Sequence, residues 1–201
     1  MSIKPILFNT DMVRAILDGR KTVTRRVVKP QPMGYFEVND NPVFLYDFDP
    51  IAERVYSPYQ PEDILYVRET WHKYIKRVGK GEGCHLAEFY GYKASVKNSE
   101  DSNTPWKPSI HMPKEAARIW LKVTNVRVEK LQDITTDQII AEGVKTEEPF
   151  SLNGTEKRYA FSQLWDSTIK KENINRYGWE GNPWVWVIEF ERCEKPQEVE
   201  Q

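Results

Sequence analysis

The sequence lacks several features that would place it in a protein class at once. Only two cysteines, Cys84 and Cys193, occur in its 201 residues, which excludes a disulfide framework of the small secreted kind and leaves one disulfide open. Lys and Arg number 29 against 30 Asp and Glu, so the general basic character of nucleic-acid binders is missing. No apolar run approaches the ~18 residues of a membrane span, and no long apolar signal segment opens the chain. We therefore expect a soluble cytoplasmic protein with no membrane partner.

Signatures of cofactor and metal sites are missing as well. The sequence has no phosphate-binding glycine loop, no dinucleotide fingerprint and no Gly-x-Ser-x-Gly elbow. Cys84 and His85 adjoin in a glycine-rich stretch, but they lack the ligand spacing of a zinc site, and His72 and His111 stand apart from them. We expect neither a cofactor nor a metal.

Aromatic residues, in contrast, make up 12% of the chain and include seven Trp, which indicates a packed core and not a disordered chain. A strand near Ile3 precedes a helix that Thr10 or Asp11 caps and Gly19 ends. Strands with alternating or β-branched patterns outnumber the short helices farther along. The pattern predicts an α+β protein built on a small, mostly antiparallel, partly open β-barrel, with short helices packed at its ends.

We predict one domain over residues 1–195, with insertions at about 30–60 and 73–110 and an acidic tail at 196–201. Six of the thirteen prolines fall between Pro30 and Pro61, which favours a looped insertion with short edge strands. Glycines in the second insertion indicate a hairpin followed by a mobile loop.

One segment concentrates positive charge. Residues 14–29 carry six Lys or Arg and a single acid, Asp18. Within it, Lys21 and Thr24 stand three residues apart after a helix end, where a turn would let both reach one pocket. A lysine whose pKa is lowered by burial or nearby cations can activate a threonine hydroxyl as a nucleophile. The alternative is a basic loop that contacts phosphate or a neighbouring carboxylate.

The same segment, ILDGRKTVTRR at residues 16–26, resembles the ASCH family, a branch of the PUA-like superfold. DILYVRETW at residues 63–71 is similar to the longer ASCH proteins that phages and prophages encode. Two further pieces match at 128–144 and 161–190. The resemblance covers most of the chain outside residues 30–60 and 73–110.

Some compact ASCH proteins are amidohydrolases that deacetylate N4-acetylcytidine and related acylated cytosines. The resemblance implies a Lys, a Thr and a Glu as the catalytic set, and these fall on Lys21, Thr24 and Glu142. Lys21 would deprotonate Thr24, and Glu142 would protonate the leaving amine or position water. Backbone amides or Arg25 would stabilise the oxyanion. For Glu142 the alternative is an exposed helix-end residue.

We expect five further residues to contact the substrate: Arg20, Arg25, Arg26, Glu69 and Trp71. Trp71 can stack on a base, although core packing is the commoner role of a tryptophan. Glu69 can accept a hydrogen bond from an exocyclic amine, or instead pair with Arg68 or Arg25.

Two other functions remain open. A non-catalytic module would hold RNA or a modified nucleotide with Arg20, Lys21, Arg25 and Arg26 on phosphate, and would lose affinity steeply with salt. A phage accessory protein would use its insertions to bind a host partner. The expected partner is thus a nucleoside, nucleotide or RNA, with natural substrate and oligomeric state open.

Overall fold

The computed structural model describes residues 1–32, 36–38, 43–45, 56–95, 105–144 and 154–197, with the backbone alone at 36–38, 43–45 and 82. Much of the first insertion, the predicted mobile loop and the end of the acidic tail lie outside these ranges. The strands are β1 (Ile3–Leu7), β2 (Val23–Val27), β3 (Phe36–Val38), β4 (Val43–Leu45), β5 (Ile64–Arg68), β6 (Trp71–Val78), β7 (His85–Tyr92), β8 (Trp120–Lys130) and β9 (Trp184–Cys193). The helices are α1 (Thr10–Leu17), α2 (Thr136–Ala141), α3 (Gly154–Thr168) and α4 (Ile174–Tyr177).

Five of these strands form one mixed sheet in the order β1-β5-β8-β9-β2, while β3 with β4 and β6 with β7 form separate pairs. β1 runs parallel to β5, whereas β5 pairs with β8 and β2 with β9 in antiparallel fashion. The α+β class is confirmed. Because β1 and β2 are both edge strands, the described strands make an open sheet and not a closed barrel. Within the described ranges no helix is both long and apolar enough to cross a membrane.

The chain forms two compact units. Unit 1 comprises Met1, Arg20–Asp63 and Val123–Glu191. In it, β2 pairs with β9 in a register that sets Thr24 opposite Ile188. Residues 185–188 of β9 are all buried, so side chains on both faces of this strand are covered. Helices α2 and α3 supply Ile139, Phe161 and Trp165 to a core that also comprises Val23, Leu131, Ile134, Val185 and Val187.

Unit 2 comprises Ser2–Gly19, Ile64–Lys122 and Arg192–Gln201. Its helix α1 is capped by Asn9, whose side-chain oxygen accepts a 2.9 Å hydrogen bond from the backbone N of Met12. The predicted cap at Thr10 or Asp11 is wrong, because Asn9 is extended and Thr10 already lies in the first turn. Gly19 follows the helix with φ 73°, as predicted for a helix end.

The predicted hairpin of the second insertion is confirmed in unit 2 as β6 and β7, which pair from Trp71 and Tyr92 to Val78 and His85. Its base packs into a core built on buried Ile64, Trp71, Met112, Ala116, Ala117 and Trp120. Both cysteines are free thiols.

Candidate functional site

The predicted site begins where the chain enters β2 in unit 1. Lys21 forms an isolated antiparallel bridge with Glu142, and the next residue, Thr22, donates its backbone N–H to the carbonyl of Ala141 over 2.9 Å. The carbonyl of Thr22 accepts in turn from the N–H of Phe190. This short stretch is therefore held at its backbone between the end of α2 and strand β9.

Helix α2 sets the position of Glu142. Thr135 and Gln138 form the predicted capping box at its start, and Gly143 ends it with φ 84°. Glu142 is the residue after the last helical turn, and it is only 5% exposed. The alternative that treats Glu142 as an exposed helix-end residue is wrong, because the backbone bridge to Lys21 covers it.

Lys21 and Glu142 form a buried ion pair. The Lys21 Nζ donates to Glu142 Oε2 over 2.5 Å, and the two side chains are 0% and 6% exposed. The same ammonium donates to the backbone carbonyls of Glu142 at 3.0 Å and Val23 at 2.7 Å. Lys21 is thereby fixed at the peptide that directly precedes Thr24.

Burial lowers the pKa of the Lys21 ammonium below its ordinary value, because the charged form loses its hydration. The ion pair and hydrogen bond with Glu142 oppose this shift, whereas the positive charges of Arg26 and Arg25 add to it. The net direction is downward, toward a neutral amine that can accept a proton.

Arg25 donates to the second oxygen of the Glu142 carboxylate. Its guanidinium donates to Glu142 Oε1 at 3.0 Å, to Gln138 Oε1 at 3.0 Å and to Glu129 Oε1 at 2.5 and 3.1 Å. The Arg25 side chain is 0% exposed. The sequence left two roles open for a basic loop, contact with phosphate or contact with a neighbouring carboxylate. Lys21 and Arg25 both contact carboxylates.

Thr24 lies one residue away and is 1% exposed. Successive strand residues point to opposite faces, so Thr24 shares a face of β2 with Arg26 and not with Arg25. The Arg26 guanidinium donates to Thr24 Oγ1 over 2.9 Å and to the carbonyl of Arg25 over 3.0 Å. A cation that donates to a hydroxyl oxygen also favours its deprotonated form.

Burial raises the pKa of the nearby Tyr59 hydroxyl, and the charge of Arg26 opposes this rise.

Arg20 completes the set of basic residues. It donates to the carbonyl of Gly143 over 3.0 Å, directly after Glu142. The structure thus joins Lys21, Arg25 and Glu142 in one buried network, and it joins Thr24 to Arg26.

Glu69 and Trp71, the remaining predicted contacts, belong to unit 2. The Glu69 carboxylate is 1% exposed and accepts from Arg118 Nε at 2.9 Å and from its terminal nitrogen at 3.0 Å. The alternative in which Glu69 pairs with Arg68 or Arg25 is therefore wrong as to the partner, since Arg118 takes that place and Arg68 donates to the carbonyls of Met112 and Ile110.

Trp71 is 6% exposed and packs in the core of unit 2, which is the alternative to base stacking. Its indole Nε1 is buried with no hydrogen-bond partner among the described residues. The described ranges also hold no group of three or more His, Cys, Asp or Glu placed for a metal.

Sequence reasoning missed Glu129 and Gln138, the other two acceptors of Arg25. A buried arginine on a strand requires acceptors, yet the chain has 30 acids and no local pattern selects Glu129. Gln138 is visible from sequence as the third residue of the capping box, and its Oε1 accepts from both the Thr135 N–H and Arg25. Its cap role was predictable and its contact with Arg25 was not.

No family model and no curated protein match this chain. Among solved structures, the chain is similar to an ASCH domain from Lactobacillus crispatus JV V101 over 95% of its own length and 79% of that chain, with 12% sequence identity and a TM-score of 0.37. A likeness this low carries no argument about the site, and the α+β class rests on the strands and helices described above.

Proposed function

We propose that this chain is an ASCH-type amidohydrolase that deacylates N4-acylated cytosine nucleosides without a metal ion. Thr24 is the nucleophile, Lys21 the general base and Glu142 the general acid. The observation that carries this proposal is the buried 2.5 Å pair of Lys21 and Glu142, fixed at the peptide before Thr24.

The base fits its task because its pKa is lowered. Because burial lowers the pKa of Lys21, its neutral amine forms more readily than that of an exposed lysine, and the neutral amine can take the proton of a hydroxyl. Arg26 supports the same step, since its guanidinium donates to Thr24 Oγ1 and stabilises the alkoxide that forms there.

The reaction proceeds in two halves. Thr24 Oγ gives its proton to Lys21 and forms a bond to the acyl carbon, and the bond from that carbon to N4 of cytosine breaks. Lys21 passes the proton that it took from Thr24 to Glu142 across their 2.5 Å hydrogen bond, Glu142 delivers it to the departing nitrogen, and cytidine leaves. A water molecule then cleaves the acyl ester of Thr24, releases the carboxylic acid and restores the hydroxyl. Arg25 acts as a positioning residue, because it holds the oxygen of Glu142 that Lys21 does not.

The phosphate-binding alternative is weaker at this site. Lys21 and Arg25 are each 2% exposed, and carboxylates already accept from both cations. A phosphate would have to displace Glu142 from two partners. The open choice between turnover and binding is decided by assay.

The direct test incubates the protein with N4-acetylcytidine and follows cytidine by chromatography. Thr24→Val removes the nucleophile with little change in shape, and Lys21→Met removes the base; we expect both to lower kcat by at least about 100-fold, as loss of such groups does. Thr24→Ser retains a hydroxyl and keeps part of the activity. Thr22→Val is the matched control, since Thr22 is exposed in the same segment.

Thermal unfolding accompanies each assay, so that loss of activity is compared only among folded variants. A folded wild-type protein that releases no cytidine refutes deacylation of this nucleoside. Equal activity in Thr24→Val and Thr22→Val would remove Thr24 from the mechanism.

A further inference from the structure

Four rings lie in a row along one face of the β6–β7 hairpin of unit 2. Trp106 stacks on His72 with ring centroids 4.3 Å apart and an interplanar angle of 20°. His72 lies 5.6 Å from Tyr74, and Tyr74 stacks on Phe89 at 5.7 Å and 26°. We call these four residues the ring row.

The strand register produces this row. Tyr74 lies opposite Phe89, and His72 lies opposite Gly91, so their side chains share one face of the ribbon. A Cβ at Gly91 would lie 2.1 Å from Nε2 of His72, and only glycine therefore lets the imidazole lie across the strand. The row runs from buried His72, 3% exposed, to Phe89, 37% exposed, so its outer end is accessible to a ligand.

The segment that forms the hairpin has an excess of positive charge. Residues 71–93 carry five Lys or Arg and two Glu, although the whole chain is nearly neutral. One of those acids, Glu88, pairs with Lys73 at 2.6 Å. Lys76 is exposed, and its position in β6 places it on the same face as Tyr74.

The opposite face of the hairpin has a different chemistry. Ile75 and Leu86 lie there, 64% and 67% exposed, in the positions that alternate with Tyr74 and Lys76. This face also carries Lys73, Arg77 and Glu88, and its rings, Trp71, Tyr90 and Tyr92, pack in or against the core of unit 2. Leu86 is therefore an exposed aliphatic position on the face away from the ring row.

We propose that the ring row binds single-stranded nucleic acid, with Phe89 and Tyr74 stacking on bases and Lys76 contacting the phosphate backbone. Aromatic rings beside cations are the combination that single strands require, because every base has a face to stack and every linkage carries a charge. A duplex hides its base faces and binds this surface more weakly. The nearly neutral net charge of the whole chain permits this binding, because the hairpin segment by itself has an excess of positive charge.

The test measures fluorescence anisotropy of a labelled 12-residue oligouridine RNA, and of its oligothymidine DNA counterpart, with the full chain. Phe89→Ala is expected to weaken binding by between about 5-fold and 100-fold, the effect of losing one stacked base. Lys76→Ala is expected to weaken binding and to reduce its salt dependence by about one phosphate contact. Leu86→Ala, on the opposite face, is the matched control and leaves affinity within about 2-fold.

Any one of four results would overturn the proposal. The first is absence of binding to both single strands at 50 mM salt, and the second is equal affinity for a 12-base-pair duplex. The third is a loss in Leu86→Ala that equals the loss in Phe89→Ala. If Phe89→Ala instead dissolves a dimer seen by sedimentation and leaves oligonucleotide affinity unchanged, the face binds a second copy of this chain and the proposal fails. Because binding is measured without turnover, this result is independent of the deacylation assay.

Discussion

The Lys21 ammonium and the Glu142 carboxylate meet at 2.5 Å with both side chains almost fully excluded from solvent. Such a pair loses most of its hydration energy, and direct contact and further hydrogen bonds have to replace it. The network meets this requirement, because each carboxylate oxygen of Glu142 accepts from a different cation, Lys21 or Arg25.

Removal of the Glu142 charge is expected to destabilise the fold strongly. Glu142→Gln leaves Lys21 and Arg25 buried beside a neutral amide, which costs about 3 kcal/mol or more of unfolding free energy. Urea denaturation measures this loss.

The control for this variant is Glu88→Gln, which breaks the exposed pair of Lys73 and Glu88 at a similar distance, 2.6 Å. Water screens that pair, and little change in unfolding free energy is expected. Losses of equal size in the two variants would mean that burial of the Lys21 pair has no energetic consequence.

The lowered pKa of Lys21 predicts a pH dependence with a definite sign. Between its folded pKa and its ordinary value, the folded protein binds fewer protons at Lys21 than the unfolded chain does. The unfolding free energy contributed by this group therefore rises as pH rises through that window. The rate of deacylation is also expected to rise as pH rises through that window, because the neutral amine of Lys21 is the base.

Comparison of wild type with Lys21→Met at stepped pH isolates this contribution, and Lys73→Met is the control at an exposed lysine. The Lys21 variant is expected to lose the rise, and the Lys73 variant to keep it. Parallel pH profiles in all three proteins would contradict a lowered pKa at Lys21.

Two buried tryptophans provide a test of hydrogen bonding inside the core. Trp71 and Trp165 are 6% and 7% exposed, but among the described residues only the indole N–H of Trp165 has a hydrogen-bond partner, the carbonyl of Tyr177 at 2.8 Å. Replacement by Phe removes the same atoms from each. We expect Trp165→Phe to cost about 1 kcal/mol more unfolding free energy than Trp71→Phe, because only it breaks a hydrogen bond. Chemical denaturation of both variants measures the difference, and a larger loss at Trp71 would show that its indole N–H is satisfied.

The capping box of α2 is expected to affect activity as well as stability. Thr135→Ala removes the side-chain acceptor for the Gln138 N–H and costs about 1 kcal/mol. Because Gln138 also holds Arg25, and Glu142 follows the last turn, kcat is expected to fall as well. Thr136→Ala, at the exposed first helical position, is the control. If Thr135→Ala lowers the unfolding free energy and leaves kcat unchanged, the capping of α2 has no effect on the reaction.

Local sequence patterns predicted much of the fold. The box of Thr135 and Gln138 with Gly143 predicted α2, because capping depends on residues within one turn. The helix end at Gly19 was predictable for the same local reason. The cap of α1 was missed by one residue, since Asn9, Thr10 and Asp11 all have side chains that can cap.

The partners in the ion pairs could not be predicted from local sequence patterns. The sequence offered Arg68 and Arg25 as partners of Glu69, and the structure selects Arg118, 49 positions away. Charge pairing across a fold depends on which strands become neighbours, and residue spacing does not carry that information.

The nearly neutral composition excluded a uniformly basic protein, and the order of residues located a basic segment, a hairpin and an α+β pattern. These properties follow from the chain alone, because helix caps, turns and strand alternation depend on residues close together in sequence. Only the tertiary structure decided that Lys21 and Arg25 are buried against Glu142, and that the rings of His72, Tyr74 and Phe89 lie beside one another in a row. Both arrangements depend on contacts between distant segments, whose energies arise only when burial removes water from the charges and rings.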